Sequence, residues 1–195
     1  MKATIANNSN YFKEIFVDLI YTNDKFQDIE FENCRFEKCR FTECIFDNCR
    51  FIDCIFIACS ISAAKPFNSK FDSVLFKDSK VMGFDWTKSR SVNTVSFENC
   101  DLSYSNFSFM KLPNLSLLKC IAKEINFNEA DLTGSIFTET DFLETVFSHT
   151  NLTKADFRKA INYGIDFNFN VLKKAKFSLP EAASLLRSLD IELEG

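Results

Sequence analysis

Residues 31–60 decide the fold, because they read FENCR FEKCR FTECI FDNCR FIDCI FIACS, six consecutive units of five residues. Each unit begins with phenylalanine and carries cysteine three positions later. A period of five matches neither an α-helix, which repeats every 3.6 residues, nor a strand, which alternates every two. A short fixed repeat instead indicates a solenoid in which each unit forms one side of a coil.

The phenylalanine column extends along almost the whole chain, from Phe16 to Phe177. It contains 33 units, with one extra residue between Trp86 and Val92, and it holds 19 of the 24 phenylalanines. All eight cysteines lie in a second column two residues earlier, where Ser, Thr and Ala replace them later in the chain. The pattern predicts two inward residues per unit, one large and one small, which interdigitate in a dense core.

The units Ala130-Asp131-Leu132-Thr133-Gly134 and Ala155-Asp156-Phe157-Arg158-Lys159 resemble the A-(D/N)-(L/F)-x-x unit of the pentapeptide-repeat family. The resemblance covers residues 14–179. It implies an all-β fold, a right-handed quadrilateral β-helix, and 33 units at four per coil give about eight coils. Residues 1–13 are then expected to form an N-terminal cap, and residues 180–195 a C-terminal helix and a short strand used for dimerisation.

Two segments depart from the repeat. Residues 62–70 place Pro66 in the large column, and proline cannot donate to a β-ladder. Residues 83–91 contain the extra residue, and there Phe84 is too large and Arg90 too charged for the small column, while Trp86 is expected in the core. We expect short irregular segments, either tolerated insertions or binding loops. The candidate loop residues are Lys65, Pro66, Phe67, Lys88 and Arg90.

The last residues follow a helical pattern. Ser178-Leu179-Pro180-Glu181 has the spacing of a capping box with proline in the first turn. Apolar residues then recur at helical spacing, which predicts an amphipathic helix, and residues 190–194 alternate like a strand. The helix either caps the open end of the solenoid or buries its apolar face against a second copy. The candidate dimerisation residues are Leu179, Ala182, Leu185, Leu186, Leu189 and Ile191.

The composition argues against several classes of function. The chain of 195 residues has a net charge of −4, one histidine and four glycines. Such a chain lacks the basic stripe of a nucleic-acid-binding protein, a multi-histidine metal site and a glycine-rich phosphate loop. We predict no cofactor, no metal, no small-molecule substrate and no membrane span. The lack of an apolar N-terminal run, together with eight cysteines, favours reduced thiols and a cytoplasmic location.

The residues that could carry chemistry have simpler structural explanations. Cysteines five residues apart lack the paired spacing of a zinc site, and stacked pairs such as Cys34 and Cys54 stay reduced in a cytosol. We expect them to be small buried residues rather than a metal site or a redox switch. His149 lies in an outward column with no Ser or Cys spaced for nucleophilic work. The sequence therefore predicts a protein without enzymatic activity.

An acidic stretch is the remaining functional signal. Six acids and no Lys or Arg lie between residues 124 and 151. They form either an ordinary solvated surface or a row of carboxylates that faces a basic groove, as the phosphates of duplex DNA do. The six residues are Glu124, Glu129, Asp131, Glu139, Asp141 and Glu144.

The ending Glu181–Ile191 looks like the tail of the Qnr-type, quinolone-resistance group of this family, whose tails form a tail-to-tail homodimer. The resemblance implies a mimic of duplex DNA that binds DNA gyrase and topoisomerase IV and protects them from quinolones or similar poisons. We therefore expect a homodimer with a type II topoisomerase as partner and no direct contact with nucleic acid. A scaffold for another protein, or an immunity protein against a peptide toxin, is the alternative.

Overall fold

The computed structural model describes residues 4–189 and 191, which wind into a right-handed all-β solenoid with four sides. Three-residue strands form most of the early sides, and each pairs in parallel with the strand twenty residues later, as Tyr11 does with Phe31. We number the sides 1 to 4 after the inward residues of the first coil, which are Tyr11, Phe16, Tyr21 and Phe26.

Within the described residues, fifteen strands form three parallel sheets. A nine-stranded sheet covers sides 1 and 2, a four-stranded sheet covers side 3, and a two-stranded sheet covers part of side 4. The strands are β1 (Asn10–Phe12), β2 (Ile15–Val17), β3 (Ile20–Thr22), β4 (Lys25–Gln27), β5 (Glu30–Glu32), β6 (Arg35–Glu37), β7 (Arg40–Thr42), β8 (Ile45–Asp47), β9 (Arg50–Ile52), β10 (Ile55–Ile57), β11 (Ser60–Ser62), β12 (Lys70–Lys77), β13 (Lys80–Met82), β14 (Ser91–Glu98) and β15 (Ser116–Leu118).

Paired strands account for about five turns, fewer than the roughly eight coils that the repeat predicts. The difference arises because most later sides are joined by isolated β-bridges, such as Asp131 with Asn151, rather than by strands. These bridges keep the spacing of twenty residues and continue as far as Asp156 with Lys176. The solenoid geometry therefore extends beyond the part that is built from strands.

The inward phenylalanines stack along the solenoid axis. The rings of Phe36 and Phe56 lie 4.4 Å apart and are nearly parallel, with 4° between their planes. Rings on adjacent sides meet edge to face, as Phe31 and Phe36 do at 5.2 Å and 72°. The ring quadrupole favours both arrangements. The prediction that the phenylalanine column forms the core is confirmed, because most of its members are almost fully buried.

The small inward column supplies hydrogen-bond donors as well as space. The Cys54 thiol donates to the Phe31 carbonyl oxygen of the preceding coil at 3.3 Å. The Thr140 hydroxyl donates in the same way to Leu117 at 2.7 Å. A buried carbonyl oxygen without a donor would cost about 1–3 kcal/mol. Size alone therefore does not explain this column; its Cys, Ser and Thr residues also satisfy carbonyl groups that face the core.

Burial raises the pKa of seven of the eight thiols and so keeps them protonated, whereas a hydrogen bond with Cys59 lowers the pKa of Cys39. It raises the pKa of Cys49 to about 11, and that of Cys54 and Cys120 to about 12. A hydrogen bond with Cys39, together with burial, raises the pKa of Cys59. All eight cysteines are free and buried. The prediction that they pack as small side chains agrees with this geometry.

The chain turns each corner two residues after the large inward residue. At most corners this residue has a positive φ, between 50° and 65° where it is not glycine, as at Asn33, Lys38 and Glu43. This region is unfavourable for most residues and least so for Asn and Asp. The ladder on both sides of the corner holds the backbone there. Corners therefore accept charged residues of either sign, and surface charge varies without change to the core.

Residues 62–70 stay within the regular coil, and the expectation of an irregular segment there is wrong. Pro66 is buried in the large column, and Lys65 forms a parallel bridge with Ile45. The Asn68 N–H still donates to the Lys88 carbonyl oxygen of the next coil at 3.1 Å. Proline is tolerated because its missing N–H removes one ladder bond and leaves the neighbouring bonds in place.

The one-residue slip within residues 83–91 is confirmed. Lys70 pairs with Ser91, 21 residues later, instead of the residue 20 positions on. A single 3-10 turn over Trp86–Lys88 lies just before the extra residue. Phe84 and Trp86 are both buried, while Arg90 is exposed. The segment is therefore a local bulge that keeps its aromatic residues in the core, not a projecting loop.

Two predicted inward positions near the C-terminal end are wrong. Asn162 and Phe167 are exposed, and Tyr163 and Ile165 fill the core instead. The Asn162 backbone has a φ of 58°, and its side-chain amide donates to the Asp141 carboxylate at 2.7 Å. A polar side chain gains more from this surface bond than from burial, so Asn162 turns outward and Tyr163 fills the core. The spacing of twenty residues is kept, as the bridge between Asp156 and Lys176 shows.

The first coil starts within the predicted N-terminal cap. Tyr11 lies in β1 and pairs with Phe31, and residues 4–9 precede it. Tyr11 also lies five residues before Phe16, so the period already contained this signal. The tyrosine ring stacks on Phe31 at 5.3 Å. The boundary at residue 13 is therefore about one repeat unit too late.

The C-terminal segment forms a 3-10 helix over Glu181–Leu189 that covers the end of the solenoid. The predicted capping box does not form. The Ser178 hydroxyl oxygen accepts from the Lys159 N–H at 3.2 Å, and the Glu181 carboxylate accepts from the Asn162 N–H at 2.7 Å. These donors lie on the last coil, so the tail replaces the next coil as their acceptor. Apart from Ile191, the predicted strand at 190–194 lies outside the described residues.

We predict that Phe56→Ala lowers the free energy of unfolding by about 3–5 kcal/mol, because it leaves a cavity between stacked rings. Urea unfolding followed by circular dichroism measures the change. Phe12→Ala is the control, since that ring is 56% exposed, and should cost less than about 1 kcal/mol. Equal costs for the two variants would contradict the stacked core.

We also predict that thiols react with Ellman's reagent at pH 8 more slowly in the folded protein than in denaturant, roughly 100-fold for Cys49 and roughly 1000-fold for Cys54 and Cys120. A pKa of about 11 is two units above the ordinary value of 9.0 and leaves about one hundredth of the thiolate, and a pKa of about 12 leaves about one thousandth. The matched control is the same protein in guanidinium chloride. Rapid reaction of all cysteines without denaturant would contradict their burial.

Candidate protein-interaction surfaces

The six predicted acidic residues lie in the last third of the solenoid and are spread over all four sides. They lie on two successive coils. The backbone bridge Ile121–Asp141 joins these two coils, and the bridge Asp131–Asn151 joins the second of them to the coil that follows. Three lie on side 3 and one on each other side: Glu124, Asp141 and Glu144 on side 3, Asp131 on side 1, Glu139 on side 2 and Glu129 on side 4. The structure therefore brings only the side 3 residues together.

The two aspartates are used inside the protein. Both are half-buried, unlike the glutamates. The Asp131 carboxylate accepts from the Thr133 N–H and from the Asn151 side-chain amide, each at 3.1 Å. The Asp141 carboxylate accepts from Asn162 and forms an ion pair with Lys123 at 3.5 Å. These carboxylates stabilise turns and neighbouring coils, so they offer less free charge than the sequence suggests.

The four glutamates are exposed corner residues with positive φ. Glu139 pairs with Lys159 at 3.6 Å. Glu124, Glu129 and Glu144 take part in no ion pair among the described residues. The Glu124 N–H donates to the Leu143 carbonyl oxygen at 2.9 Å, which places the Glu124 and Glu144 corners one coil apart. These three glutamates are the acids most available to a partner.

The predicted loop residues lie around side 4. Lys65 and Phe67 are exposed in one coil, and Lys88 and Arg90 are exposed in the next. The Lys88 ammonium lies 4.0 Å from the Asp85 carboxylate. None of these residues lies on a projecting loop, because the coil is continuous beneath them. They form a basic edge between sides 4 and 1.

The predicted dimerisation residues form an exposed apolar strip on the tail. Leu179 is 82% exposed and Leu189 is 46% exposed, while Leu185 packs partly against the core. The remaining members are Ala182, which is half-buried, and Leu186 and Ile191, which are exposed. The tail therefore covers the last coil with one face and leaves a second apolar face open.

His149 has a serine neighbour that the sequence interpretation did not consider. The Ser148 hydroxyl lies 3.0 Å from the His149 ring nitrogen Nδ1. Within the described residues the ring makes no second hydrogen bond, so the orienting third member of a catalytic triad is missing. The pair is a surface contact beside the Phe169 ring.

Residues 4–189 and 191 contain no cluster of three or more His, Cys, Asp or Glu side chains arranged to hold a metal ion. No helix in this part of the chain combines the length and the apolar character needed to cross a bilayer.

A cleft on side 1 is the surface feature that sequence reasoning missed. It lies between Val92–Val95 and Lys111–Leu115 and encloses a cavity of about 240 Å³. The nearest signal in the sequence is the extra residue just before Val92, which predicts a bulge or short loop. A repeat count does not show that the coil after an insertion is separated from the next coil on one side.

Comparison with known proteins supports the repeat architecture. Two sequence profiles match: one of a pentapeptide repeat region over residues 24–94, and one of pentapeptide repeats in eight copies over residues 125–161. A trypsin-treated form of QnrB1, described as a plasmid-mediated fluoroquinolone resistance protein, superposes with a TM-score of 0.74. The two are 20% identical, over 97% of this chain and 93% of that one. Curated protein sequences gave no match.

Two further structures have the same fold. Full-length QnrB1 has a TM-score of 0.65 at 21% identity and covers 93% of this chain and 100% of its own. HetL from the cyanobacterium Nostoc sp. strain PCC 7120, described as involved in heterocyst differentiation regulation, has a TM-score of 0.65 at 13% identity, with 87% of each chain covered. The profiles together span more than half of the sequence, and with the four-sided solenoid they show that the chain belongs to the pentapeptide-repeat family.

Proposed function

We propose that the protein is a non-enzymatic, cytoplasmic mimic of duplex DNA that binds DNA gyrase or topoisomerase IV and protects it from quinolones or similar poisons. The observation that carries the proposal is the acidic belt, residues 124–151, with six acids and no Lys or Arg on two coils of a regular rod. The fold shared with QnrB1, a fluoroquinolone resistance protein, supports it.

The charge density of the belt supports mimicry over a short length. Its 28 residues cover about 1.4 coils, or about 7 Å of axis at a strand spacing of about 4.8 Å. Two of its six carboxylates, Asp141 and Glu139, are ion-paired. The other four give about one charge per 1.7 Å, which is the axial charge density of duplex DNA. A basic groove that binds DNA would therefore attract this part of the rod.

We also propose that the tail joins two copies end to end. Leu179, Leu186, Leu189 and Ile191 are exposed on the same short segment, and water contact with this much apolar surface is unfavourable. Burial against the same strip of a second copy would satisfy the two-fold symmetry of a homodimer. The dimer would then carry an acidic belt on each side of its centre.

A binding protein with a different partner is the second candidate. HetL has the same fold and is described as involved in heterocyst differentiation regulation. The fold therefore serves roles other than quinolone resistance, and a scaffold or a toxin-immunity protein would need the same solenoid with a different surface. The acidic belt favours a basic partner in either case.

We predict that the protein restores gyrase supercoiling in the presence of a quinolone, and that Glu124→Lys with Glu144→Lys weakens this rescue at least tenfold. The substitution reverses the charge of two corners without an ion pair. Lysine already occupies equivalent corners at Lys38 and Lys154, so the variant should fold. A supercoiling assay with titrated protein measures the effect.

Glu43→Lys is the matched control. Glu43 is an exposed corner residue on side 3, as Glu124 and Glu144 are, but it lies outside the acidic belt. It should keep full rescue. If the unaltered protein neither rescues nor inhibits supercoiling at micromolar concentration, gyrase is not the partner; equal loss in both variants would show that the belt is not the binding surface.

We predict that Leu186→Asp with Leu189→Asp gives monomers in sedimentation equilibrium, because each copy would bring two carboxylates into the interface and like charges would face each other across the two-fold axis. The control is Leu143→Asp, since Leu143 is exposed to a similar extent but lies on side 3 of the rod. A dimer that persists in the tail variant would place the interface elsewhere.

A further inference from the structure

The ladder between successive coils is interrupted at one place on side 1. Elsewhere on this side three backbone bonds join neighbouring coils. Between the coils of Leu112 and Leu132, for example, Leu112 N–H donates to Asp131, Asn114 N–H to Thr133, and Asp131 N–H to Met110, at 2.8–2.9 Å. The equivalent bonds from Val92, Thr94 and Lys111 are not made within the described residues.

The interruption lies on the coil that follows the inserted residue. The coil before it pairs at a spacing of 21 residues, Lys70 with Ser91, and the coil after it pairs at 20, Lys111 with Asp131. The extra residue lies between Trp86 and Ser91. The strand edge at Val92–Thr94 faces the edge at Lys111–Pro113 with its hydrogen-bonding groups unused.

The gap between these edges is a cleft with an apolar floor. It holds a cavity of about 240 Å³, and a second cavity of about 390 Å³ adjoins it around Arg90 and Met110. Val92, Val95, Leu112 and Leu115 are buried and line the floor of the first cavity. Apolar side chains that alternate along a strand would bury their surface here.

The rim of the cleft is cationic and unpaired. Arg90 and Lys111 are exposed at its two edges, with Lys70 one coil away, and none of the three forms an ion pair among the described residues. The Ser89 hydroxyl, which lines the adjoining cavity, is buried without a hydrogen-bond partner. Buried polar groups normally have a partner, so the Ser89 hydroxyl and the unused backbone groups of the two edges are the ones that an occupant would satisfy.

We propose that this cleft binds an extended peptide segment of a partner protein in which apolar residues alternate with acidic ones. The peptide backbone would bond to the free edges of Val92–Thr94 and Lys111–Pro113, as in β-strand addition. One face of the segment would place its apolar side chains on the floor. The other face would place its carboxylates beside Arg90 and Lys111. This site lies outside the acidic belt and does not depend on the gyrase proposal.

A fluorescein-labelled peptide of four valines alternating with three glutamates tests the proposal by fluorescence anisotropy with the full chain. We expect it to bind at least tenfold more tightly than a peptide in which lysine replaces glutamate. An N-methylated version, which lacks backbone donors at alternate positions, is expected to lose the binding. Equal affinities for the acidic and basic peptides, or no binding at about 1 mM, would overturn the proposal.

Charge reversal at the rim provides the matched variant. Arg90→Glu with Lys111→Glu is expected to weaken binding of the acidic peptide at least tenfold and to make the protein prefer the basic peptide. Lys38→Glu, at a corner on side 2, is expected to leave the preference for the acidic peptide unchanged.

Hydrogen exchange reports the backbone contribution to binding. The amides of Val92, Thr94 and Lys111 should exchange faster than those of Leu112 and Asn114 in the free protein, and should become protected when the acidic peptide binds. Unchanged exchange on binding would place the peptide elsewhere.

Discussion

Stacking of each coil on the next is the interaction on which the rest of the structure depends. It combines the parallel backbone ladder with rings of phenylalanine that lie face to face between coils, as Phe36 and Phe56 do. Each coil buries its large and small inward residues only when a neighbour covers them. The tail continues this principle at the open end, where Ser178 and Glu181 accept the hydrogen bonds that a further coil would accept.

Because the core uses only two positions in five, the surface is largely independent of it. Corner residues tolerate either charge at positive φ, so Glu124 and Lys119 occupy equivalent places. The acidic belt, the apolar strip of the tail and the side 1 cleft are therefore separate features on one scaffold. Selection can change any one of them at little cost to stability, which explains how a single fold supports unrelated partners.

The period of five was sufficient to predict a solenoid, the phenylalanine core, the register slip and the cysteine column, while its four sides were implied by the resemblance to the pentapeptide-repeat family. It did not predict local substitutions that the backbone absorbs. Pro66 appeared to break the repeat but costs one ladder bond, and Tyr163 replaces Asn162 in the core because the asparagine finds a surface carboxylate. Nor does a one-dimensional pattern reveal which carboxylates are already paired, or that a cleft opens beside Val92 on the coil after the inserted residue.

Competition between this protein and duplex DNA for gyrase tests the central claim most directly. With the quinolone left out, a labelled linear DNA fragment is bound to purified gyrase, and the protein is titrated into the complex. A mimic of duplex DNA is expected to displace the fragment, and its apparent affinity should fall steeply as salt rises, because the interaction is between carboxylates and a basic groove. Simultaneous binding of DNA and protein, or binding that is insensitive to salt, would contradict the account.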